Sequence, residues 1–440
     1  MSEAAKVGVR TVRPVDWIGT ARRYLPWLLL GALFAVLPNI FVSGTAHTMM
    51  SLMGIMIVFA LSYNMLLGAT GLLSFGHAVY YGLGGFLAVH AMNTFARDGL
   101  PIPVLLIPLV GGASGLLFGI VFGSVSTRRG GTAFAMISLG LGELVASSSL
   151  ILRSFFGGEE GISTNRTKLF RVFDLSFGPQ LQVYYLIAAW CLVSMIAMYA
   201  LTRTPFGRMC NAVRDNPERA QFVGYNPYIV RFLSFSLSGL FAGIAGGLAA
   251  INFELVNASV VGAAQSGTVL LAAYIGGVGN FIGPVIGAVL VTYLQVMLSD
   301  VTEIWQLYFG LLFIATVMFA PGGIAGLIFM HEPLWHAGAY RALFGRLLPA
   351  YLLALIPALI ALLGLILVIE MTFRLMVKAS EGTSMSFFGV PLDAAAPVPW
   401  IAAAVLLVGG FYLFRRTWPW ISGAWHAAHA EMQQARRSAP

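Results

Sequence analysis

Residues 101–125 read PIPVLLIPLVGGASGLLFGIVFGSV, an unbroken run without one charged side chain. A helix needs about 20 apolar residues to cross the hydrocarbon core of a bilayer, and a soluble fold has no place for a run this long. Within it Gly111, Gly115, Gly119 and Gly123 recur at every fourth position. That spacing puts them on one helix face, where a second backbone can approach closely and pack by van der Waals contact. The stretch reads as a membrane span built to lie against another span.

Runs of the same kind recur on either side. They are Leu25–Val42, Met49–Leu67, Ala78–Phe95, Thr132–Leu152, Gln182–Leu201, Arg231–Ile251, Ala263–Val278, Phe281–Leu298, Trp305–Ile328, Ala350–Ile369 and Pro399–Phe414. Together they predict an all-α, polytopic transmembrane helix bundle of about 10–12 spans, each near the ~20-residue crossing length. Composition agrees: 58% of residues are hydrophobic and 10% charged, against roughly a quarter charged in a soluble domain. Mean hydropathy is +0.85. Further glycine lines, Gly239, Gly243, Gly247 and Gly279, Gly283, Gly287, again read as packing faces.

The net charge of +8 does not point to a nucleic-acid partner, because lysine occurs only as Lys6, Lys168 and Lys378. The arginines instead report orientation in the membrane lipid. With a cytoplasmic N-terminus, alternation puts Arg128, Arg129, Arg203, Arg208, Arg214, Arg219, Arg341, Arg346, Arg415 and Arg416 inside. Asn252–Gly262 and Ser299–Ile304, on the opposite side, hold no Lys or Arg. This follows the positive-inside rule and makes both termini cytoplasmic. The segment Arg153–Leu181 is the exception, mixing basic residues with Glu159, Glu160 and Asp174. Leu25–Val42 follows a basic stretch and no small-residue cleavage pattern closes it, so it is expected to be a first membrane helix rather than a signal. Cys191 and Cys210 make neither a disulfide framework nor a metal site.

Two interruptions stand out. Thr70–His77 is either re-entrant or a simple turn. Gly276, Gly277, Gly279 and Asn280, before Gly283-Pro284, mark either a helix broken at membrane depth or a tight turn between short spans.

The loop 202–230 is long, internal and basic. Asn216-Pro217-Glu218 reads as an N-cap, a proline in the first helical position and an acid in the first turn. Gly224 supplies the stop. A helix of about two turns is predicted there. It has little core to join, and so reads as a docking element for another protein.

These residues carry a resemblance. Glu218-Arg219-Ala220 followed by Gly224 matches the E-x-A-x-x-x-G spacing of the cytoplasmic coupling loop of ABC importer permeases. The flanks Thr204-Pro205-Phe206-Gly207-Arg208 and Ala212-Val213-Arg214-Asp215-Asn216 are similar to the branched-chain amino acid permeases of the LivM type. In the same order follow Asn64–Gly68 with Gly71–Ala78, Ile137–Glu143, Gly157–Ile162 and Gly276–Pro284. The resemblance covers roughly Leu25 to Ile328 and divides the chain into a cytoplasmic segment 1–24, a permease membrane domain 25–330 and an extension 331–440 with two further spans. The chain departs from the family pattern at Glu160, where an amide is usual, and in the whole of the extension.

What the resemblance implies is a non-catalytic membrane subunit forming the path for branched-chain amino acids or a related small polar solute. Family members for urea or short amides are the nearest alternative. It implies a second, LivH-like permease chain, two cytoplasmic ATPase subunits, a periplasmic solute-binding protein and a bacterial inner membrane. No cofactor belongs to this chain; ATP and Mg fall to the ATPase subunits, in keeping with the absence of a G-x-x-x-x-G-K-[ST] loop. Coupling to the ATPase is assigned to Arg214, Pro217, Glu218, Ala220 and Gly224. Asn64, Ser74, His77, Glu143, Gly276, Gly279 and Asn280 are the candidates for the translocation path. Glu143 enters because a charge at mid-span is costly, although a structural hydrogen bond, with Ser147 one turn on, serves equally. Gly157, Gly158, Glu159, Glu160 and Gly161 are the candidates for docking the binding protein.

An ion-coupled secondary transporter would need a coupling-ion site, for which one buried acid and one glycine break are thin support. Gly112-Ala113-Ser114-Gly115 matches the G-x-S-G of rhomboid-like proteases. No histidine lies between His90 and His331 to serve as its base, so Ser114 is expected on a packing face.

Overall fold

The computed structural model describes residues 17–171, 176–336, 343–378, 380 and 382–438. Most of the 1–24 segment, Asp174 and Arg341 lie outside the described residues. The chain forms two compact units, Met1–Gly326 and Leu327–Pro440.

The first unit begins with α1 (Trp17–Ile40), α2 (Gly44–Thr70), α3 (Ala78–Asp98), α4 (Ile107–Ser126), α5 (Thr132–Ile151) and the single turn α6 (Arg153–Phe156). It continues with α7 (Gln180–Arg203), α8 (Pro205–Asp215), α9 (Pro217–Phe222), α10 (Pro227–Phe253), α11 (Ala263–Gly276), α12 (Ile282–Val301) and α13 (Trp305–Phe319). After α14 (Gly323–Phe329), the second unit holds α15 (Glu332–His336), α16 (Leu348–Met376) and α17 (Pro397–Ser438). Two small antiparallel sheets complete the structure: β1 (Ile162–Ser163) with β2 (Leu255–Val256), and β3 (Ser384–Phe387) with β4 (Val390–Asp393).

Every apolar run expected to cross is helical over most of its length, Trp305–Ile328 with a break at Ala320–Gly322. Among the described residues, eight helices are long and apolar enough to span a membrane, or nine if the bent pair beginning with α13 counts as one span. Three of the expected spans fall short of that measure. The apolar part of α1 is only Tyr24–Ile40, α3 is less apolar, and α11 has 14 residues.

The glycine lines of α4 and α10 face each other. A methyl group at Gly115 would overlap the Gly239 carbonyl oxygen, and one at Gly243 would overlap that of Gly111. On its other side α10 meets α3 as closely, since a methyl at Gly246 would overlap the Tyr81 carbonyl oxygen. The helix is thus held between α3 and α4 by backbone-to-backbone contact and is almost wholly buried beyond Val230. In the third line Gly283 and Gly287 pack against the end of α11, while Gly279 faces open space.

In the second unit α16 and α17 pair through Gly364, which sits against Leu407 and Ala403, and Gly410, which sits against Ala361. At 42 residues α17 is longer than a bilayer is thick, about 63 Å at 1.5 Å per residue. Its later turns pack Ala428 and Met432 against Leu334 and Leu347, and Arg346 pairs with Glu431 at 2.5 Å.

Gly115→Val should cost about 1–3 kcal/mol or more, as an overpacked contact does. Gly119→Ala should cost far less, because its added carbon would lie 3.2 Å from the Ser236 Cα. Melting of the detergent-solubilised protein, followed by size-exclusion chromatography, separates the two; equal losses would contradict the backbone contact.

Candidate functional site

The loop 202–230 folds as two helices. Thr204 caps α8 by accepting from the Gly207 N–H, with Pro205 in the first turn. In α9 the Asn216 side chain accepts from the Arg219 N–H at 2.9 Å, Pro217 follows, and Glu218 stands exposed in the first turn. Gly224 takes a left-handed φ of 93° and its N–H reaches the Gln221 carbonyl. The caps are as the sequence reads. The little core this helix was expected to join is a small cluster: Ala220 is 5% exposed and packs with Cys210, Val213 and Val230 over Ala69, Phe206 and Met209. The expectation missed α8, whose amphipathic spacing supplies half of that small core. What the loop leaves bare is Phe222 and Val223, 90% and 76% exposed. Their signal was available, as two large apolar residues just before a helix-stopping glycine.

Arg214, at the end of α8, joins this loop to the bundle. Its Nη1 donates to the Gly68 carbonyl oxygen at 2.5 Å and its Nε to Asp215 at 3.0 Å. The last carbonyls of a helix have no partner within it, and a cation there also meets the negative end of the helix dipole. Arg214 therefore caps α2, whose final turn is closed by Gly71 with φ 70°. Around this contact lies a cavity of about 280 Å³ lined by Asn64, Gly68, Asn211, Arg214, Gly279 and Asn280. The Gly276–Phe281 break is a tight turn at this end of the bundle, between α11 and α12. Gly276 itself packs against Gly283.

Beyond Gly71 the chain turns back into the bundle. His77 pairs through Nε2 with the Ser62 hydroxyl at 3.0 Å. Ser62 lies eight residues before Thr70, about 12 Å back along the helix, so 71–77 is re-entrant. His77 is stacked on Phe59 and meets Tyr63 edge-on. Ser74 and His77 are both buried, and Ser74 Oγ and His77 Nδ1 find no protein partner. The segment is tied down on two sides, by Phe75 N–H to Ser138 Oγ of α5 at 3.1 Å and by Ala78 N–H to Ser266 Oγ of α11 at 3.0 Å.

The structure therefore gathers Asn64, Gly279 and Asn280 with Arg214, and places Ser74 and His77 inside the protomer. Glu143 is set apart from them. It is exposed on α5, next to Gly142, which packs on Gly76. The stripe Met136, Gly140, Glu143 and Ser147 is bare along most of this helix. Ser147 is exposed too, and neither residue is bonded to the other.

At the opposite end Gly157, Gly158 and Gly161 all have left-handed φ, of 75°, 68° and 75°, and present Glu159 and Glu160 at an exposed tip. The anchor of this loop was not read from the sequence. Arg166, largely buried, donates to the carbonyls of Phe177 at 2.7 Å, Ile251 at 2.9 Å, Asn252 at 3.3 Å and Gly178 at 3.2 Å. It caps α10 as Arg214 caps α2. Glu254, at φ 53°, accepts from the Arg166 backbone N–H at 2.8 Å. Arginines in loops gave no clue to which helix end they would meet.

Ser114 is buried with its hydroxyl donating to the Leu83 carbonyl, as a packing residue does. Among the described residues no cluster of His, Cys, Asp or Glu has metal-site geometry.

The model of the family described as branched-chain amino acid transport system / permease component matches residues 45–321. The high-affinity branched-chain amino acid transport system permease protein LivM of Salmonella typhimurium is 26% identical over 291 residues, 61% of this chain and 67% of that protein. The corresponding permease BraD of Pseudomonas aeruginosa is 26% identical over 281 residues, 61% of this chain and 90% of its own. The guanosine ABC transporter permease NupQ of Bacillus subtilis is 32% identical over 103 residues, 23% of this chain and 31% of its own. No solved structure matches the chain significantly.

Burial pushes the Cys210 thiol up to about 11, so at pH 7.5 it should react slowly with maleimide. Arg214→Ala removes a charged-group hydrogen bond of about 1.5–3 kcal/mol and should speed that labelling roughly ten- to a hundredfold. Unchanged labelling would mean that Arg214 does not hold the loop.

Proposed function

The chain belongs to the branched-chain amino acid transport system / permease component family, and from that premise we propose that it forms half of the solute path of an ATP-driven importer. The observation that carries this is the α8–α9 pair. A capped helix presents Glu218, Phe222 and Val223 to solvent while its neighbour, through Arg214, holds the end of the central helix α2. Such an arrangement receives force at a surface and passes it to the re-entrant segment and to α5. The chain has no phosphate-binding loop, so ATP and its Mg are held by two ATPase subunits, one of them docked on the Phe222 surface. That surface is cytoplasmic, and both termini with it, by the arginine distribution.

A second permease chain, LivH-like, covers the bare face of α5. An ionised Glu143 against hydrocarbon would cost a few kcal/mol at least. Against a partner chain and a hydrated path it does not. The acidic tip Glu159-Glu160 then lies on the periplasmic side, where a solute-binding protein delivers its cargo. Branched-chain amino acids are the solutes named for LivM and BraD. Since NupQ is named for guanosine, a different small polar solute such as urea or a short amide is the second reading.

Radiolabelled leucine uptake in whole cells tests the proposal, at matched membrane abundance. Glu218→Arg and Phe222→Asp should each lower uptake about tenfold or more, as loss of an interface hot spot does, and should release the co-purifying ATPase. Undiminished uptake that survives ATP depletion while a proton gradient remains would instead favour a secondary transporter.

A further inference from the structure

The half of the bundle away from the α8–α9 loop contains a second cavity, of about 310 Å³, between α2, α11 and α12, which opens at the surface where Phe253 and Ser299 are exposed. Its size is at the lower end of the ~300–1,000 Å³ usual for small-molecule sites. One wall is apolar, with Leu52, Ile55, Met56 and Phe59 of α2. The other is polar and uncharged: Gln265 and Thr268 of α11 face Thr292, Gln295 and Ser299 of α12. No Asp, Glu, Lys or Arg lines it.

Three features say that the polar wall is a site rather than a packing accident. Thr292, a lining residue, is 5% exposed and its buried Oγ1 has no hydrogen-bond partner. A buried hydroxyl left in that state costs about 1–3 kcal/mol. Next, α11 is a half-helix. Ser266, in its first turn, bonds the Ala78 N–H where the re-entrant segment ends, about 15 Å above Gly276 at 1.5 Å per residue. Thr292 lies at the same depth, ten residues or about 15 Å along α12 from Ile282. The N-terminus of α11 therefore opens at mid-depth beside Gln265, with free backbone N–H groups and the positive end of the helix dipole. Finally, glutamines on two facing helices have no reason to be placed together at membrane depth unless something polar lies between them.

We propose that this cavity binds an aliphatic α-amino acid as its zwitterion, within one protomer and separately from the path between two permease chains. Amides, hydroxyls and a helix N-terminus can satisfy a carboxylate and an ammonium together, and no fixed charge favours a ligand of net charge. The α2 wall takes the hydrocarbon side chain. The choice of amino acid rests on the importer reading; the site itself rests on the cavity.

The test is equilibrium binding of tritiated L-leucine to the full-length chain in lipid nanodiscs, without ATPase or binding protein. The wild type should bind saturably, with isoleucine and valine competing. Lysine, glutamate, isopentylamine and 4-methylpentanoate, each of net charge, should not compete. Thr292→Val and Gln295→Leu should each weaken binding about tenfold, as loss of a buried hydrogen bond does, while Thr292→Ser retains it. Monodisperse elution shows that the variants fold. Absence of saturable binding, wild-type affinity in both Thr292→Val and Gln295→Leu, or equal competition by the singly charged analogues overturns the site. So does a phospholipid that leucine does not displace, seen by native mass spectrometry. Leucine uptake separates this from the importer reading. Thr292-dependent binding with ATP-independent uptake keeps the site and removes the importer. ATP-driven uptake with wild-type binding in both variants does the reverse.

Discussion

Backbone contact between α10 and its two neighbours is the constraint on which the first unit depends. Lipid is as apolar as leucine, so no hydrophobic force draws helices together inside a bilayer. What remains is close packing, and here it is reached by leaving out side chains. Gly239 and Gly243 meet Gly111 and Gly115 on one side, and Gly246 meets Tyr81 on the other. The arrangement tolerates no sideways shift of α10. Its two ends are therefore fixed relative to each other. At one end Val230 joins the small core under α8 and α9; at the other Arg166 caps the carbonyls of Ile251 and Asn252.

Against this rigid part the chain places its irregular segments. The turns at 71–77 and 257–262 both occur at membrane depth, and they are joined there by the Ala78–Ser266 bond. Irregular backbone survives at that depth only where protein or a hydrated cavity shields it. The first segment is shielded by α5 and by Phe59 and Tyr63. The second opens onto the cavity beside Gln265. Arg214 connects this region to the α8–α9 loop through the end of α2.

The second unit lies beyond the residues matched by the family. Its helix pair uses the same device, with Gly364 and Gly410 allowing α16 and α17 to touch along their backbones. The short β3–β4 hairpin between them is closed by Gly389, at φ 83°.

Whatever depends on neighbours along the chain was legible in the sequence. Uncharged runs marked the helices, because burial of apolar length in lipid is a local property. Asn216, Pro217 and Gly224 marked the limits of α9, because capping involves residues two to four apart. The glycine spacing of residues 111–123 declared a packing face. It did not say that the face would meet Gly239–Gly247, and nothing local distinguished that line from Gly279, which packs against nothing. The helix-end carbonyls that Arg166 and Arg214 cap include ones 85 and 146 residues away, and a guanidinium carries no record of which helix end it will cap. Glu143 looked like a buried acid because it sits at mid-span, and only the tertiary structure leaves its face of α5 uncovered. Gln265, Thr292 and Gln295 drew no notice as isolated polar residues in apolar runs. They became a candidate site once folding set α11 beside α12, because a cavity exists only between elements and no single stretch of sequence encodes it.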